Sequence, residues 1–593
     1  MSMGVDLGLL ALRRRPINPK IKHHWLGPLI GANVSGNDAN RVAGGGSVAS
    51  NDIPVTIVGG GPVGLAMALA LARQGVRSRV LEQRATTTDH PKARGLFPRA
   101  MEIFRQWRVE APIRARGLPP GADSFAVLDG LERELGRSPP EPFRNEGPAR
   151  KSLVAQDAVE EELVRRLAAY PEAEVVWNTR ATAGEIDDRG VTITTEDADT
   201  GQTSVWRSDY VVGADGGAGF CARLAGIAYE GPPQLALMLN TYFRADLSAF
   251  ETMREVAGMI FTRHEGYEGN PYIFLNTNGA DRWLLLERIG VQVDERPRPP
   301  TEAETIQTLR AVLRQPDLDI RIINQAVWRL TRRIASRFRE GPVFLAGDAA
   351  HRFPPTGGLG LNSGIEDVHN LAWKLAFVLQ GKASERLLDS YDQERRPRAN
   401  ANADMAMLNG ARFQKFTEAA VSGNPDRLAF WLRDMANHTN SIGHVLGFVY
   451  PEGALIPDGS TPPPPTPRTY TPTDRPGSRF PHFWLGPERT RSSLDLFDGD
   501  LVLVVGPAGD AWADAAGEVS RRWGIPIPIH RLGEVDPALG IAMGPRGAAL
   551  VRPDGVTAWR IGWPEPDPVA VLGAAVETIL GNPDPTRRSS TPT

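Results

Sequence analysis

Cysteine is nearly absent from this chain: Cys221 is the only one in 593 residues. That excludes a disulfide framework and any cysteine-based metal site, and a reducing, cytoplasmic setting is expected. Cys221 itself reads as a small buried apolar residue. Long apolar runs are absent too. None approaches the roughly 18 residues of a membrane-spanning helix, so no membrane partner is expected. At the N-terminus the apolar piece Leu7 to Leu12 precedes Arg13 to Arg15, the reverse of the order in a secretory leader. An excess of either charge is also missing. Lys and Arg number 67 against 70 Asp and Glu, a net charge of −3. Such a balance leaves no footprint for nucleic acid. No metal site is expected, and no internal repeat is visible.

What is present is an ordinary apolar fraction of 41%, enough for sizeable cores, in a chain long enough for several domains. Residues 1–51 turn rich in Gly, Asn and Ser after Pro16 and are expected to be a poorly ordered extension. Pro54 to Val58 reads as a buried strand, Gly64 to Gln74 as a helix, and Val76 to Glu82 as a second strand. Gly59, Gly61 and Gly64 fall between the first two in GxGxxG spacing, and Glu82 ends the second strand about 20 residues on. The spacing has a physical basis. Gly59 permits the tight turn, Gly61 lets backbone approach a pyrophosphate, and Gly64 lets helix and strand pack closely. The helix N-terminus offers unpaired N–H groups and partial positive charge. Glu82 is placed to accept hydrogen bonds from ribose hydroxyls.

Leu153 to Leu167 has helical periodicity, and Tyr210 to Ala214 reads as a short buried strand. From 231 to 323 alternation dominates, which predicts an inserted sheet, with Glu302 to Leu313 helical. An apolar run then leads into GDAAHRFPPTGGLGLNSGIED, Gly347 to Asp367, where Gly and Pro keep the backbone bare; helical periodicity resumes at Val368. Pro462 to Pro465 marks a linker, and strands, a helix and the Pro-bearing edge segment Ile525 to His530 follow it.

Three motifs now stand in order: GGGPVG with Glu82, VVGADGG (Val211 to Gly217), and FLAGDAAHRFPPTGGLGLNSGIEDVHNLAWKL (Phe344 to Leu375). Together with HPKARGLFPRAMEIFRQW (His90 to Trp107) and ERRP (Glu394 to Pro397), they resemble the FAD-dependent aromatic hydroxylases. These are single-component flavoprotein monooxygenases of the phenol hydroxylase and para-hydroxybenzoate hydroxylase type. The resemblance covers about Ile53 to Arg398. PGSRFPHFWL (Pro476 to Leu485) and LVRPDGVTAWR (Leu550 to Arg560) resemble the C-terminal thioredoxin-like domain of longer members. Without a CxxC, that domain is expected to serve as a packing or homodimer element.

The resemblance implies an α/β fold: a Rossmann-like FAD-binding domain (52–230 and 324–410), an inserted mixed β-sheet substrate domain (231–323), a helical connection (411–456), a Pro-rich linker (457–480), the thioredoxin-like α/β domain (481–580) and a loose tail (581–593). It implies FAD held by Gly59, Gly61, Pro62, Gly64, Glu82, Gln83, Arg94, Gln156, Asp215, Gly216, Gly347, Asp348, Pro355, Gly358, Gly360, Leu361 and Asn362. Within that set Asp348 takes ribityl or ribose hydroxyls, Pro355 sits by the flavin ring, and backbone from Gly358 to Asn362 faces the pyrimidine edge. NAD(P)H is the transient reductant and O2 the co-substrate. An aromatic small molecule is hydroxylated through a flavin C4a-hydroperoxide. The flavin C4a is the reactive centre; His264 and Tyr272 are the candidates for a catalytic or substrate-contacting side chain, and no catalytic base is identified. Arg99, Arg105 and His351 read as ion-paired or orienting groups rather than catalytic ones.

One departure stands out. Where the family usually continues its DG motif with Arg and Ser, this chain has Ala218 and Gly219, with Arg223 arriving late. Two other readings follow. One is a same-fold flavoenzyme performing Baeyer–Villiger oxidation or epoxidation in a polyketide-type pathway. The other is a flavin-bound, non-catalytic interaction protein.

Overall fold

The computed structural model describes residues 52–131, 133–141, 145–250, 252–261, 271–290, 298–533 and 539–582. The N-terminal extension and most of the tail fall outside them, as does His264. Among the described residues no helix is long and apolar enough to cross a membrane.

The first sheet has a parallel centre with antiparallel strands at its flanks. Val55 and Ile57 of the strand Asp52–Val58 are fully buried, and so is Thr56 between them, so both faces of the strand are covered. Its neighbours are Ser78–Leu81 on one side and Thr203–Gly213 on the other, with Val343–Leu345 beyond. The helix Pro62–Arg73 starts with proline at its first turn, where a missing N–H costs nothing. Its Ala- and Leu-rich body is buried from Gly64 to Ala72. Register then decides where the chemistry goes. Val58 pairs with Gly213, and Gly213 pairs with Leu345. The three strands therefore end level, and the three motifs leave side by side from the carboxyl edge of the sheet. Open α/β sheets bind ligands at that edge.

The second sheet runs in the order Arg321–Leu330, Ala236–Arg244, Arg282–Gly290, Tyr272–Asn276, Val256–Phe261, Ser124–Leu128, Glu134–Arg137. It thus draws two strands from residues before 231 and runs on past 323. The period of two sorts its side chains. Phe243, Phe274, Trp283 and Leu285 pack toward the helix Glu302–Leu313. On the other face Ile273 pairs with Leu286 and Leu275 with Leu284, and all four side chains line a cavity.

The helix after the bare loop is Leu359–Leu379, earlier than the periodicity from Val368 predicts. Gly358 caps it in the left-handed region at φ 67°, a conformation that costs glycine nothing. The long helix Arg386–Val421 packs on it. The C-terminal sheet has the order Ile529–Arg531, Val502–Val505, Ala548–Val551, Thr557–Ile561, which leaves the Pro-flanked strand at an edge.

A buried ion cluster ties this last sheet to the two helices. Arg552 grips Glu394 with two hydrogen bonds, of 2.7 and 2.8 Å. Lys374 donates to the same carboxylate at 2.9 Å, and the Ala454 N–H at 2.8 Å. A second clamp joins Arg479 to Glu102 at 2.6 Å.

Candidate functional site

The glycines at the sheet edge divide into two kinds. Gly64 is a packing glycine: a Cβ there would lie 1.8 Å from the Gly59 carbonyl oxygen. Gly347 is another, its Cβ position lying 2.8 Å from Val63 at φ +59°. Gly61, Gly216 and Gly360 are different. A Cβ at any of them would meet nothing within 4 Å, and all three line one cavity. Their missing side chains leave room for a ligand rather than for protein. This is the cradle that a dinucleotide needs, so the residues present fit FAD.

The carboxylates agree. Glu82 is buried, and its Oε2 accepts from the Gly60 N–H at 2.6 Å while Oε1 accepts from Arg84. It braces the glycine turn from the end of the second strand. Asp215 accepts from the Cys221 N–H at 3.0 Å through Oδ2, and its Oδ1 is sealed without a partner. Burial raises its pKa. Asp348 opens onto the cavity and has no hydrogen-bond partner among the described residues. The surrounding walls push its pKa up too, with His351 and Arg352 opposing. Asp348, an unpartnered acceptor open to the cavity at the sheet edge, suits the hydroxyl groups of a ribityl or ribose chain.

Arg94 also lines the cavity, donating to the Asn276 carbonyl at 2.8 Å. Burial without a facing carboxylate lowers its pKa to about 9. An enclosed cation of this kind gains most from an anionic ligand.

Pro355, Gly358, Gly360 and Leu361 line the same cavity, as do Pro62, Gln83 and Gln156. Asn362 does not. Its Oδ1 accepts from the Phe97 N–H at 2.7 Å, and its Nδ2 donates to Gly95 and Gly358. It stitches the bare loop to the segment after Arg94, and only its helix-end backbone remains for a cofactor. With the helix beginning at Leu359, the first-turn amides of Gly360 and Leu361 lack helical acceptors. They present partial positive charge to the cavity.

Behind the loop lies a cluster that motif matching did not disclose. Asp367 accepts from the Gly347 N–H at 3.0 Å, from His351 at 2.7 Å and from Arg395 at 2.8 Å. Burial opposes its charge, but His351 and Arg395 overcome that and lower its pKa. Arg395 belongs to the ERRP motif and also donates to the Ser363 carbonyl. The motif is thus a clamp that shapes the loop from behind. Arg99 and Arg105 are ion-paired, to Glu102 at 3.4 Å and Asp495 at 2.9 Å. At the altered DG motif, Arg223 folds back to donate to the Ala218 carbonyl.

The cavity has a volume of about 1990 Å³. A drug-sized ligand fills roughly 300–1,000 Å³. There is room for a dinucleotide and a second sizeable ligand. The second half is apolar: Ile273, Leu275, Leu284 and Leu286 from the sheet, Tyr272 beside them, and Phe413 from the long helix.

The family described as "FAD binding domain" matches residues 52–406, and "Aromatic-ring hydroxylase, C-terminal" matches 473–583. The chain is 33% identical to tetracenomycin A2 monooxygenase-dioxygenase of Streptomyces glaucescens over 92% of its own length and 99% of that protein's. It is similar to the solved flavin-dependent monooxygenase PieE, in complex with FAD and substrate, at a TM-score of 0.81 and 29% identity, covering 90% of this chain and 99% of that one. A ternary complex of aklavinone-11 hydroxylase with FAD and aklavinone matches at 0.76 and 30%, covering 89% and 99%.

Proposed function

The chain belongs to the FAD-dependent aromatic-ring hydroxylases, and from that premise we propose that its substrate is a fused polycyclic phenol or quinone of the aromatic polyketide class. It is an FAD-dependent monooxygenase that hydroxylates an aromatic ring. The observation that carries the finer reading is the cavity: about 1990 Å³, with a broad apolar wall beyond the cofactor edge. A single phenol ring would leave most of that wall wet. A planar ligand of three or four rings covers it, and burial of apolar surface drives binding. The relatives named for tetracenomycin and aklavinone support the same class.

When bound, FAD supplies the redox chemistry and the activation of O2. The chain's own residues do the rest. Gly61 and Gly216 admit the diphosphate-bearing part, and Asp348 and Glu82 take its hydroxyl groups. The first-turn amides at Gly360 and Leu361 and the enclosed Arg94 guanidinium place fixed positive charge at the ring end. Charge fixed in advance stabilises developing negative charge without reorganisation. The sheet wall and Phe413 exclude water around the substrate. NAD(P)H, lacking a dinucleotide fingerprint of its own, binds transiently as reductant.

Stopped-flow reduction of the FAD-loaded protein by NADH and NADPH tests the substrate class. Hydroxylated anthraquinones are expected to accelerate flavin reduction more than single-ring phenols do. Acceleration by single-ring phenols alone would remove the polycyclic reading.

A further inference from the structure

His438 lies on the short helical turn Ala436–Thr439, reached from the long helix through Pro425–Asp434. Its ring stands edge-on to Phe125 at 6.2 Å and tilted against Phe413 at 5.8 Å. All three side chains line the large cavity. Phe125 comes from the sheet and Phe413 from the long helix, and they pack edge-to-face on each other at 6.3 Å, so with the imidazole they form one aromatic patch of the cavity wall. The patch is near the bare loop, since Gly410, one turn before Phe413 on the long helix, faces Thr356. Lys151 stands 5.7 Å over the Phe97 ring, and Phe97 lies 3.6 Å from where a Gly358 Cβ would be.

Neither nitrogen of His438 has a hydrogen-bond partner among the described residues; Nδ1 is sealed off by the protein, which leaves Nε2 to face the cavity. Burial, reinforced by Lys151 and Arg412, lowers its pKa to about 4. The ring is therefore neutral at any working pH, with one donor and one acceptor nitrogen. A polar atom in a cavity wall with no protein partner, here Nε2, points to a ligand that supplies one.

We propose that His438 hydrogen-bonds a hydroxyl substituent on the polycyclic substrate, and that the ring bearing it lies against Phe125 and Phe413. The inference rests on the polycyclic reading above. His438 is then a specificity-determining contact: it sets which way round a flat ligand enters, and so which carbon faces the cofactor. A neutral imidazole is suited to that task and unsuited to removing a phenolic proton.

The test uses the full-length, FAD-loaded protein and two probes, 1,8-dihydroxyanthraquinone and unsubstituted anthraquinone, with binding read from perturbation of the flavin spectrum. The wild type is expected to favour the hydroxylated probe by roughly ten-fold, the scale of one buried hydrogen bond. His438→Phe should reduce that preference to within about two-fold without weakening anthraquinone, and His438→Gln should keep part of it. A purely structural role would weaken both probes alike, and that outcome overturns the assignment, as does an unchanged preference in His438→Phe. Wild-type protein that binds neither probe overturns the polycyclic reading and the proposal with it.

Discussion

Gly61→Glu is expected to give a folded, colourless protein. Gly61 has φ −75° and ψ −174°, which any residue adopts. A Cβ there meets nothing within 4 Å. The new carboxylate would also sit at a helix N-terminus, which tolerates negative charge. The apo fold therefore has no reason to suffer. The cofactor does, because the carboxylate occupies the path of its diphosphate. Two unit charges about 4 Å apart repel by about 4 kcal/mol at an effective dielectric of 20, which is roughly three decades in Kd. The flavin absorbance of the purified variant and its melting temperature without added FAD separate the two effects. Retained flavin would mean that Gly61 does not face the diphosphate. Gly64→Ala is the contrast: its methyl would collide with the Gly59 carbonyl oxygen, so it is expected to disturb the fold itself.

Glu394→Gln should destabilise the protein more than any surface change. Glu394 is fully buried and answers Arg552 and Lys374, both fully buried as well. Replacing the carboxylate by an amide leaves Lys374 facing a neutral group and Arg552 with Asp554 as its remaining carboxylate. Breaking a buried pair typically costs about 3–5 kcal/mol. The loss should fall on the junction between the C-terminal domain and the helices Leu359–Leu379 and Arg386–Val421, which carry the bare loop. Flavin retention is therefore expected to fall along with the denaturant midpoint. Acid should act in the same way. Burial alone would raise the Glu394 pKa, but Arg552 and Lys374 pull it down to about 2. A carboxyl with its folded pKa below its unfolded pKa stabilises the fold above the unfolded value. That contribution is complete above pH of about 4.5 and is lost as pH falls toward about 2. In Glu394→Gln this part of the acid dependence should vanish. An unchanged acid profile would show that Glu394 is not ionised in the fold.

Much of the candidate cofactor site was legible because its causes are local. A tight turn, a close helix and an open amide each demand glycine at a fixed spacing, so Gly59, Gly61 and Gly64 announce themselves. The convergence of the DG and GD motifs was legible only through resemblance, since strand register, not sequence distance, brings Asp215 and Asp348 to one edge. The start of the helix at Leu359 was hidden for a physical reason. Its first turns bury Asn362, Ser363, Glu366 and Asp367. Asn362, Glu366 and Asp367 are satisfied by Phe97, His351 and Arg395, from 16 to 265 residues away in sequence. An apolar period begins only after those polar residues, at Val368. The substrate sheet was underestimated in the same way. Ser124–Leu128 joins it beside Val256–Phe261 across more than a hundred residues of chain. His438 and Phe413 carry no motif at all and become neighbours only when the long helix turns back over the sheet.

The most direct test of the account is oxygen transfer itself. Full-length, FAD-loaded protein with NADPH or NADH and a hydroxylated anthraquinone is run under 18O2, and the product is weighed by mass spectrometry. One added oxygen atom, carrying the 18O label and bonded to a ring carbon, is the predicted result. Product whose new oxygen comes from water, or NAD(P)H consumed with no oxygenated product across hydroxylated anthraquinones and phenols, would contradict it.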